Sequence, residues 1–235
     1  MESVLIALII SLLFTPLPRI ENHLQQAEPP FKLVQFQVAL LKRGPKWTAA
    51  ETEDRSLHSQ HLAYVQSLLE SGKAIIAGPI NDDGKVRGVL IFRAKSSEEA
   101  KSWAEDDPAV KSGHLIAELH PWWSEDVMKK ASSPIRLTMA YLGFLTRGAK
   151  WSPEKTPATE ELQKAHLANI QKLAELKKLA VAGPFGDEGQ LRGIFVFKVS
   201  SLEEAKTLAA TDPAVRAGRL TVDLHPWLVP EGILP

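Results

Sequence analysis

One stretch occurs twice in this chain, and that repetition limits its possible folds more than any other feature. Asp107–Trp122 reads DPAVKSGHLIAELHPW, and Asp212–Trp227 reads DPAVRAGRLTVDLHPW. At the same offset, and without a gap, the likeness runs back through HLAYVQSLLESGKAIIAGP from His61 and HLANIQKLAELKKLAVAGP from His166. About half of these aligned positions are identical, the mark of an internal duplication. A period of about a hundred residues is too long for a solenoid and fits one small domain. The chain is two fused copies of one domain.

Composition narrows the chemistry. The 235 residues carry 28 basic and 28 acidic side chains, interspersed, for a net charge of zero. No basic field invites nucleic acid and there is no acidic tail. The chain has no cysteine. Disulfides, thiolate nucleophiles, Cys-ligated zinc, iron–sulfur clusters and a lipidated-cysteine anchor are therefore excluded. Ser3–Phe14 (SVLIALIISLLF) is an apolar run too short to span a membrane comfortably, and its length suits the hydrophobic region of a signal peptide. Pro16 and Pro18 follow it, and Ala27 before Glu28-Pro29-Pro30 is the candidate cleavage point. Residues 1–27 are expected to be a signal peptide, with an uncleaved N-terminal anchor as the rival. The expected location is periplasmic or secreted.

Copy one occupies residues 31–123. Val34, Phe36, Val38 and Leu40 alternate with Gln35, Gln37 and Ala39 as in a strand. Leu57, His61, Val65, Leu68 and Leu69 have helical spacing and end at Gly72. Ala74–Ala77 is a short strand, and Asp82-Asp83-Gly84 turns into the strand Gly88–Arg93. Ser96 caps a helix with acidic residues in its first turn, ending near Glu105. Asp107-Pro108 starts one further turn, stopped by Gly113, and Leu115–His120 is the last strand. The order is β-α-β-β-α-β, the ferredoxin-like split unit. Polar residues 124–134 read as a linker, residues 135–228 repeat the pattern, and a short tail follows. The fold class is α+β.

Such a unit covers only one face of its sheet with helices. Leu115, Ala117 and Leu119 suit that face, while Ile116, Glu118 and His120 share the other. Gly193–Phe197 (GIFVF) is apolar on both faces and asks for burial against a second sheet. The other copy is at hand. Two sheets packed face to face around a partly polar interior are expected.

The ordered set KRGPKW, HLAY, AGP, SSEEA, DPAV and LHPW closely resembles the YCII-related (YciI-like) family, in both copies and over nearly all of the chain after residue 30. The resemblance implies ferredoxin-like units paired into a dimeric α+β barrel, here within one chain. Most of that family has no assigned function. A few members are similar to small-molecule enzymes, including a dehydrochlorinase of aromatic degradation, in which a His and an Asp act together. Those positions match His61 with Asp107 and His166 with Asp212.

The candidate catalytic residues are thus His61, Asp107, His166 and Asp212. An aspartate accepting the imidazole Nδ1–H sets up a general acid or base near neutral pH. Each aspartate also precedes Pro before a helical turn, as an N-cap requires, and the two roles are compatible. His120 with Glu118, and His225 with Asp223, sit two apart on one strand face and either line the cleft or make a strand-end contact. Trp47 and Trp151 follow Gly-containing loops and are candidates for a pocket lid or for core packing. His120, His225, Trp47 and Trp151 form the candidate ligand-binding set. Trp122 and Trp227 read as packing or dimer-surface anchors. His58 and His61 have metal-ligand spacing, but copy two has Gln163 in place of His58, so no metal site is expected. No phosphate loop, G-x-S-x-G elbow or dinucleotide fingerprint occurs, and no cofactor is expected. The leading reading is a lyase- or isomerase-type enzyme that moves protons on a small organic molecule in a pocket facing the barrel interior. The alternatives are a binding module without turnover and an assembly role in which Trp-bearing edges pair chains into a homo-oligomer.

Overall fold

A computed structural model of the chain describes residues 32–47 and 55–235. The expected signal peptide or anchor of residues 1–27 lies outside the described residues. Copy one comprises β1 (Leu33–Arg43), α1 (Arg55–Ser71), β2 (Ala74–Pro79), β3 (Val86–Phe92), α2 (Ser97–Glu105), α3 (Pro108–Lys111) and β4 (Leu115–Glu125). Copy two comprises β5 (Leu137–Arg147), α4 (Pro157–Glu175), β6 (Leu179–Pro184), β7 (Leu191–Phe197), α5 (Leu202–Ala209), α6 (Pro213–Arg216) and β8 (Leu220–Pro230).

Local chemistry sets the ends of these elements. Ser96 and Ser201 adopt extended backbone and accept the N–H of Glu99 and Glu204, satisfying one open donor at each helix start. Gly72 stops α1 in the left-handed region at φ 78°, and its counterpart Lys177 holds φ 57°. A side chain there costs about 1 kcal/mol, so the turn geometry is imposed on copy two by its packing.

Each copy forms a four-stranded antiparallel sheet, ordered β2-β3-β1-β4 and β6-β7-β5-β8. Alternation along the strands sorts side chains into two layers. Ala39, Leu41, Leu90 and Phe92 face the helices of copy one, and Tyr141, Leu145, Phe195 and Phe197 face those of copy two. The opposite faces meet in a single cluster that includes Val38, Leu40, Val89, Ile91, Leu142, Phe144, Ile194 and Val196. The two sheets therefore close on each other as a tandem ferredoxin-like α+β barrel. Each fully buried aliphatic or aromatic side chain contributes about 1.5–3 kcal/mol, against at most about 1 kcal/mol for an exposed ion pair. Apolar burial between the sheets holds the copies together.

The closure has two equivalent seams. Ile80 bridges to Trp227, and Phe185 bridges to Trp122. Asn81 donates its N–H to the Pro226 carbonyl at 2.8 Å, and Gly186 donates to Pro121 at 2.7 Å. The fully buried indoles of Trp227 and Trp122 donate across the seams to the carbonyls of Gly78 (3.1 Å) and Gly183 (2.9 Å). A Cβ on Gly78 would fall on the Leu228 carbonyl oxygen, and one on Gly183 on that of Trp123. Only glycine allows backbones this close.

One feature differs from the sequence expectation. Strand β4 does not stop at His120 but runs through Pro121 to Glu125, two residues into the 124–134 stretch. Proline is tolerated because β4 is the last strand of its own sheet. The short tail is packed: Ile233 and Leu234 join the inter-sheet cluster with Met128, and Lys129 N–H bonds the Ile233 carbonyl at 2.9 Å. Phe36, Trp122, Phe185 and Trp227 fill much of the space between the sheets, and the carboxylate-bonded His120 and His225 sit against Phe185 and Phe144 there, so the interior is partly polar.

Candidate functional site: two buried histidine–aspartate pairs

The turn between helices in each copy builds the site. Asp107 caps α3, where its Oδ1 accepts the Ala109 N–H at 2.8 Å; Asp212 does the same for Ala214 at 2.8 Å and Val215 at 3.3 Å. That fixes the second carboxylate oxygen. Asp107 Oδ2 lies 2.7 Å from His61 Nδ1, and Asp212 Oδ2 lies 2.7 Å from His166 Nδ1. The capping and pairing roles coexist on one side chain. Asp212 is fully buried and His166 is 12% exposed at its side chain, so the pair is shielded on one side and reachable on the other. With Nδ1 engaged, Nε2 is the ring nitrogen left to meet a ligand.

His61 lines a cavity of about 820 Å³, walled by Leu41, Leu62, Val65 and Leu90 with Trp47, Arg55 and Arg87. His166 lines a smaller one of about 280 Å³ among Leu145, Leu167, Ile170 and Phe195. These cavities lie between helix and sheet. The expected pocket in the barrel interior is not where the dyads are: α1 and α4 pack on the outer faces, so their histidines point into the helix–sheet layer, while the interior is filled by aromatic side chains.

Tyr64, one turn beyond His61, is not a further acid. Its hydroxyl donates to the Trp103 carbonyl at 2.8 Å, and burial, followed by the charges of Asp106 and Asp107, pushes the phenol up to about 12. Trp47 lines the larger cavity, with Arg43 and Arg87 over its ring at 5.5 and 5.7 Å. Trp151 is enclosed by Arg147, Arg192 and Arg219 at 5.3, 5.0 and 4.7 Å. His58 and His61 have ring centroids 6.5 Å apart. Among the described residues no group of three or more His, Cys, Asp or Glu side chains is arranged to hold a metal ion.

His120 and His225 sit at the seams, each tied to the opposite copy. His120 Nδ1 meets Asp187 Oδ2 at 2.6 Å and its Nε2 meets Glu118 at 2.9 Å. His225 Nδ1 meets Asp82 at 2.6 Å and its Nε2 lies 3.1 Å from Asp223. Burial raises the Asp82 carboxyl, but the His225 hydrogen bond, the Gly84 N–H and the charges of His225 and Arg87 outweigh it and hold the group below the usual carboxylate range. The Lys42 hydrogen bond at 2.6 Å, against burial and helped by His120, does the same for Glu118. Asp82 and Asp187 are readable in sequence only as turn formers. The available signal is that Asp-x-Gly stands at the same place in both copies.

Two matches decide the family. The YCII-related domain matches residues 37–122 and again 145–227, spanning both sheets and both dyads. The chain belongs to the YCII-related family. This YCII-related chain is also 32% identical over 76 residues to the uncharacterized protein YjpA of Bacillus subtilis (strain 168), an alignment covering 31% of the present chain and 87% of YjpA. Solved structures share its fold at lower identity. A mutant chlorite dismutase from Candidatus Nitrospira defluvii superposes with a TM-score of 0.55 at 14% identity, covering 84% of this chain and 91% of that one. A heme-binding protein from Thermus thermophilus gives 0.51 at 14% identity, covering 86% and 92%. At such identities the likeness is one of fold, the dimeric α+β barrel.

Proposed function

We propose that this YCII-related chain is a cofactor-independent enzyme of lyase or isomerase type, moving a proton on a small organic molecule through His61/Asp107 and His166/Asp212. One observation carries the reading: in both copies a buried carboxylate holds Nδ1 of a cavity-lining histidine at 2.7 Å. The carboxylate fixes the tautomer with Nδ1 as donor, so Nε2 presents a lone pair to the cavity. A C–H or O–H placed there loses its proton to Nε2, and the imidazolium that forms is stabilised by the adjacent carboxylate before returning the proton. Leu41, Leu62, Val65 and Leu90 give the cavity around His61 apolar walls. The interior of the barrel offers less: its space is occupied by Phe36, Trp122, Phe185 and Trp227.

The test is proton exchange. Small organic acids and ketones are incubated with the protein in D2O and followed by proton NMR. Loss of a C–H signal, or elimination, is expected with wild type and not with the His61→Gln/His166→Gln double variant. Exchange that survives in the double variant would remove the dyads from the chemistry. Ligand binding without any dyad-dependent exchange would favour a binding module. We also propose export directed by residues 1–27. N-terminal sequencing of native protein beginning near Glu28 is the expected result, and an intact Met1 in the soluble cytosolic fraction would refute it.

A further inference from the structure

The two copies keep the same dyad but do not keep the same cavity. At the positions that wall it, Leu90 in copy one is Phe195 in copy two, Arg55 is Glu160, His58 is Gln163 and His114 is Arg219. Two of these exchanges have a visible structural consequence. Phe195 is buried and stacks on the His166 ring, with centroids 6.1 Å apart and an interplanar angle of 24°. The space beside the histidine in copy two is thereby taken by the protein's own ring. Arg219 reaches the Ser152 carbonyl at 2.6 Å and lies over Trp151, as the third guanidinium around that indole. In copy one the corresponding His114 turns to Ser112 Oγ at 3.0 Å, and Trp47 remains part of the cavity wall. The two cavities measure about 820 and 280 Å³.

Charge separates the cavities as well. Arg55 and Arg87 line the first, and among the described residues no carboxylate does. Arg87 donates to the Asp82 carbonyl and lies over Trp47, while its buried Nε has no hydrogen-bond partner among the described residues. The first turn of α1 supplies Arg55, Leu57, His58 and Ser59 to the same wall. The second cavity has Arg192 balanced by Glu125, with Glu160 at the place of Arg55. Beyond the cations, the first cavity is aliphatic and indole surface: Leu41, Leu62, Val65, Leu90 and Trp47.

We propose that copy one alone binds a small organic carboxylate with an apolar, ring-sized body, its carboxylate held by Arg55 and Arg87 and its body placed beside His61. Copy two is closed to such a ligand by Phe195 and by its balanced charge. This rests on the proton-transfer reading for what happens after binding, but binding itself does not depend on turnover.

The experiment uses the full chain with 2-naphthoate and its neutral isostere 2-naphthamide, followed by the indole 15N–1H signal of Trp47, the histidine ring signals and calorimetric stoichiometry. One naphthoate per chain is expected, shifting Trp47 and His61 and leaving His166 unmoved. The amide should bind at least about tenfold more weakly, since a charge-assisted bond is exchanged for a neutral one. The Arg55→Gln/Arg87→Gln double variant should remove that discrimination while leaving naphthamide binding in place. Leu90→Phe, which copies copy two, should abolish binding at site one, and Phe195→Leu should open a second site. Equal affinity for acid and amide, shifts at His166 instead of His61, or no binding to a folded wild-type chain would each overturn the proposal. Naphthoate binding that persists in Asp107→Asn without dyad-dependent exchange of any compound would overturn the enzymatic reading and leave the ligand class standing.

Discussion

Replacing Asp212 by Asn separates capping from chemistry, because the two functions use different oxygens of one buried side chain. Oδ1 accepts the Ala214 and Val215 N–H groups, and Oδ2 faces His166 Nδ1 at 2.7 Å. Asparagine has one carbonyl oxygen and one amide nitrogen. The backbone donors claim the oxygen, so the amide N–H must point at Nδ1. Two donors cannot pair, and the ring is driven to the tautomer with its hydrogen on Nε2. The cap survives, since Asn caps about as well as Asp. The stability change is the exchange of a bond to a charged group, about 1.5–3 kcal/mol, for a neutral one of about 0.5–1.5 kcal/mol. A net loss of about 1 kcal/mol lowers Tm by about 2–4 °C in a chain of this size. Asp212→Ala loses the cap, about 1 kcal/mol, and leaves the His166 donor unpaired, about 1–3 kcal/mol more. Its melting shift should be several times larger. Any proton transfer through His166 should fall by about 10²–10⁴-fold in both variants, because Nε2 no longer offers a lone pair in the first and the ring is no longer oriented in the second. Histidine 15N spectra report the tautomer directly, and calorimetry reports Tm. If His166 keeps Nδ1–H in the Asn variant, or if Asn melts as low as Ala, the reasoning fails.

Two further outcomes follow from the seams. Gly78→Ala or Gly183→Ala places a methyl group on a backbone carbonyl oxygen of the other copy, where no flexible side chain can give way; each should cost at least about 3 kcal/mol by urea denaturation, and a loss under about 1 kcal/mol would mean the seam backbones can part freely. Asp82 and Glu118 have folded-state values below their unfolded ones, so their stabilisation is present above about pH 4 and is lost as pH falls through the depressed values. The urea midpoint of wild type should drop on going from pH 5 to pH 3, and the Asp82→Asn/Glu118→Gln variant should show a shallower drop; equal slopes would remove these groups from the acid response.

The duplication makes the architecture legible in the sequence, because a pattern seen twice fixes its own alignment. The caps at Ser96 and Asp107, the stop at Gly72 and the two layers of β1 all obey local rules, and local rules are written in neighbouring residues. Pairing His61 with Asp107 needs the resemblance as well, since 46 residues separate them. The pairing of His120 with Asp187 and of His225 with Asp82 is out of reach. Each aspartate forms an Asx turn with the N–H two residues on, Gly84 at 2.7 Å and Gly189 at 3.2 Å, and that alone accounts for its presence in a hairpin. Its second oxygen points at a histidine of the other copy, a relation set by how the sheets close. The partly polar barrel interior, by contrast, is legible in strand alternation. Glu118 and His120 do point inward of their strand, as alternation requires, but they sit near the seam and are answered there. The centre is left to Trp122, Trp227 and the phenylalanines.

What the copies share and where they part bears on why one chain holds both. The seam positions Gly78/Gly183, Asp82/Asp187, His120/His225 and Trp122/Trp227 are identical in pairs, as are the dyad positions His61/His166 and Asp107/Asp212. The differences at 55/160, 58/163, 90/195 and 114/219 fall on the wall of the copy-one cavity, and Gln163 and Phe195 also line that of copy two. In a dimer of identical chains, any wall substitution appears in both sites at once. A phenylalanine that fills one cavity would fill the other. Fusion lifts that constraint, because each seam still finds its complement while each wall can change alone. These four seam pairs are held, since each residue is half of a contact whose other half lies in the opposite copy, whereas Ile80/Phe185 and Asn81/Gly186 bridge through backbone and differ. Asp212 cannot drift freely either, because it caps α6 whether or not His166 does chemistry. The retained His166 is the telling residue. Its ring is packed against Phe195 and bonded to Asp212, so in copy two it already has a structural use beside its smaller cavity. Identity of the dyads therefore does not by itself require two working sites, and the wall residues are what distinguish a site from its scaffold.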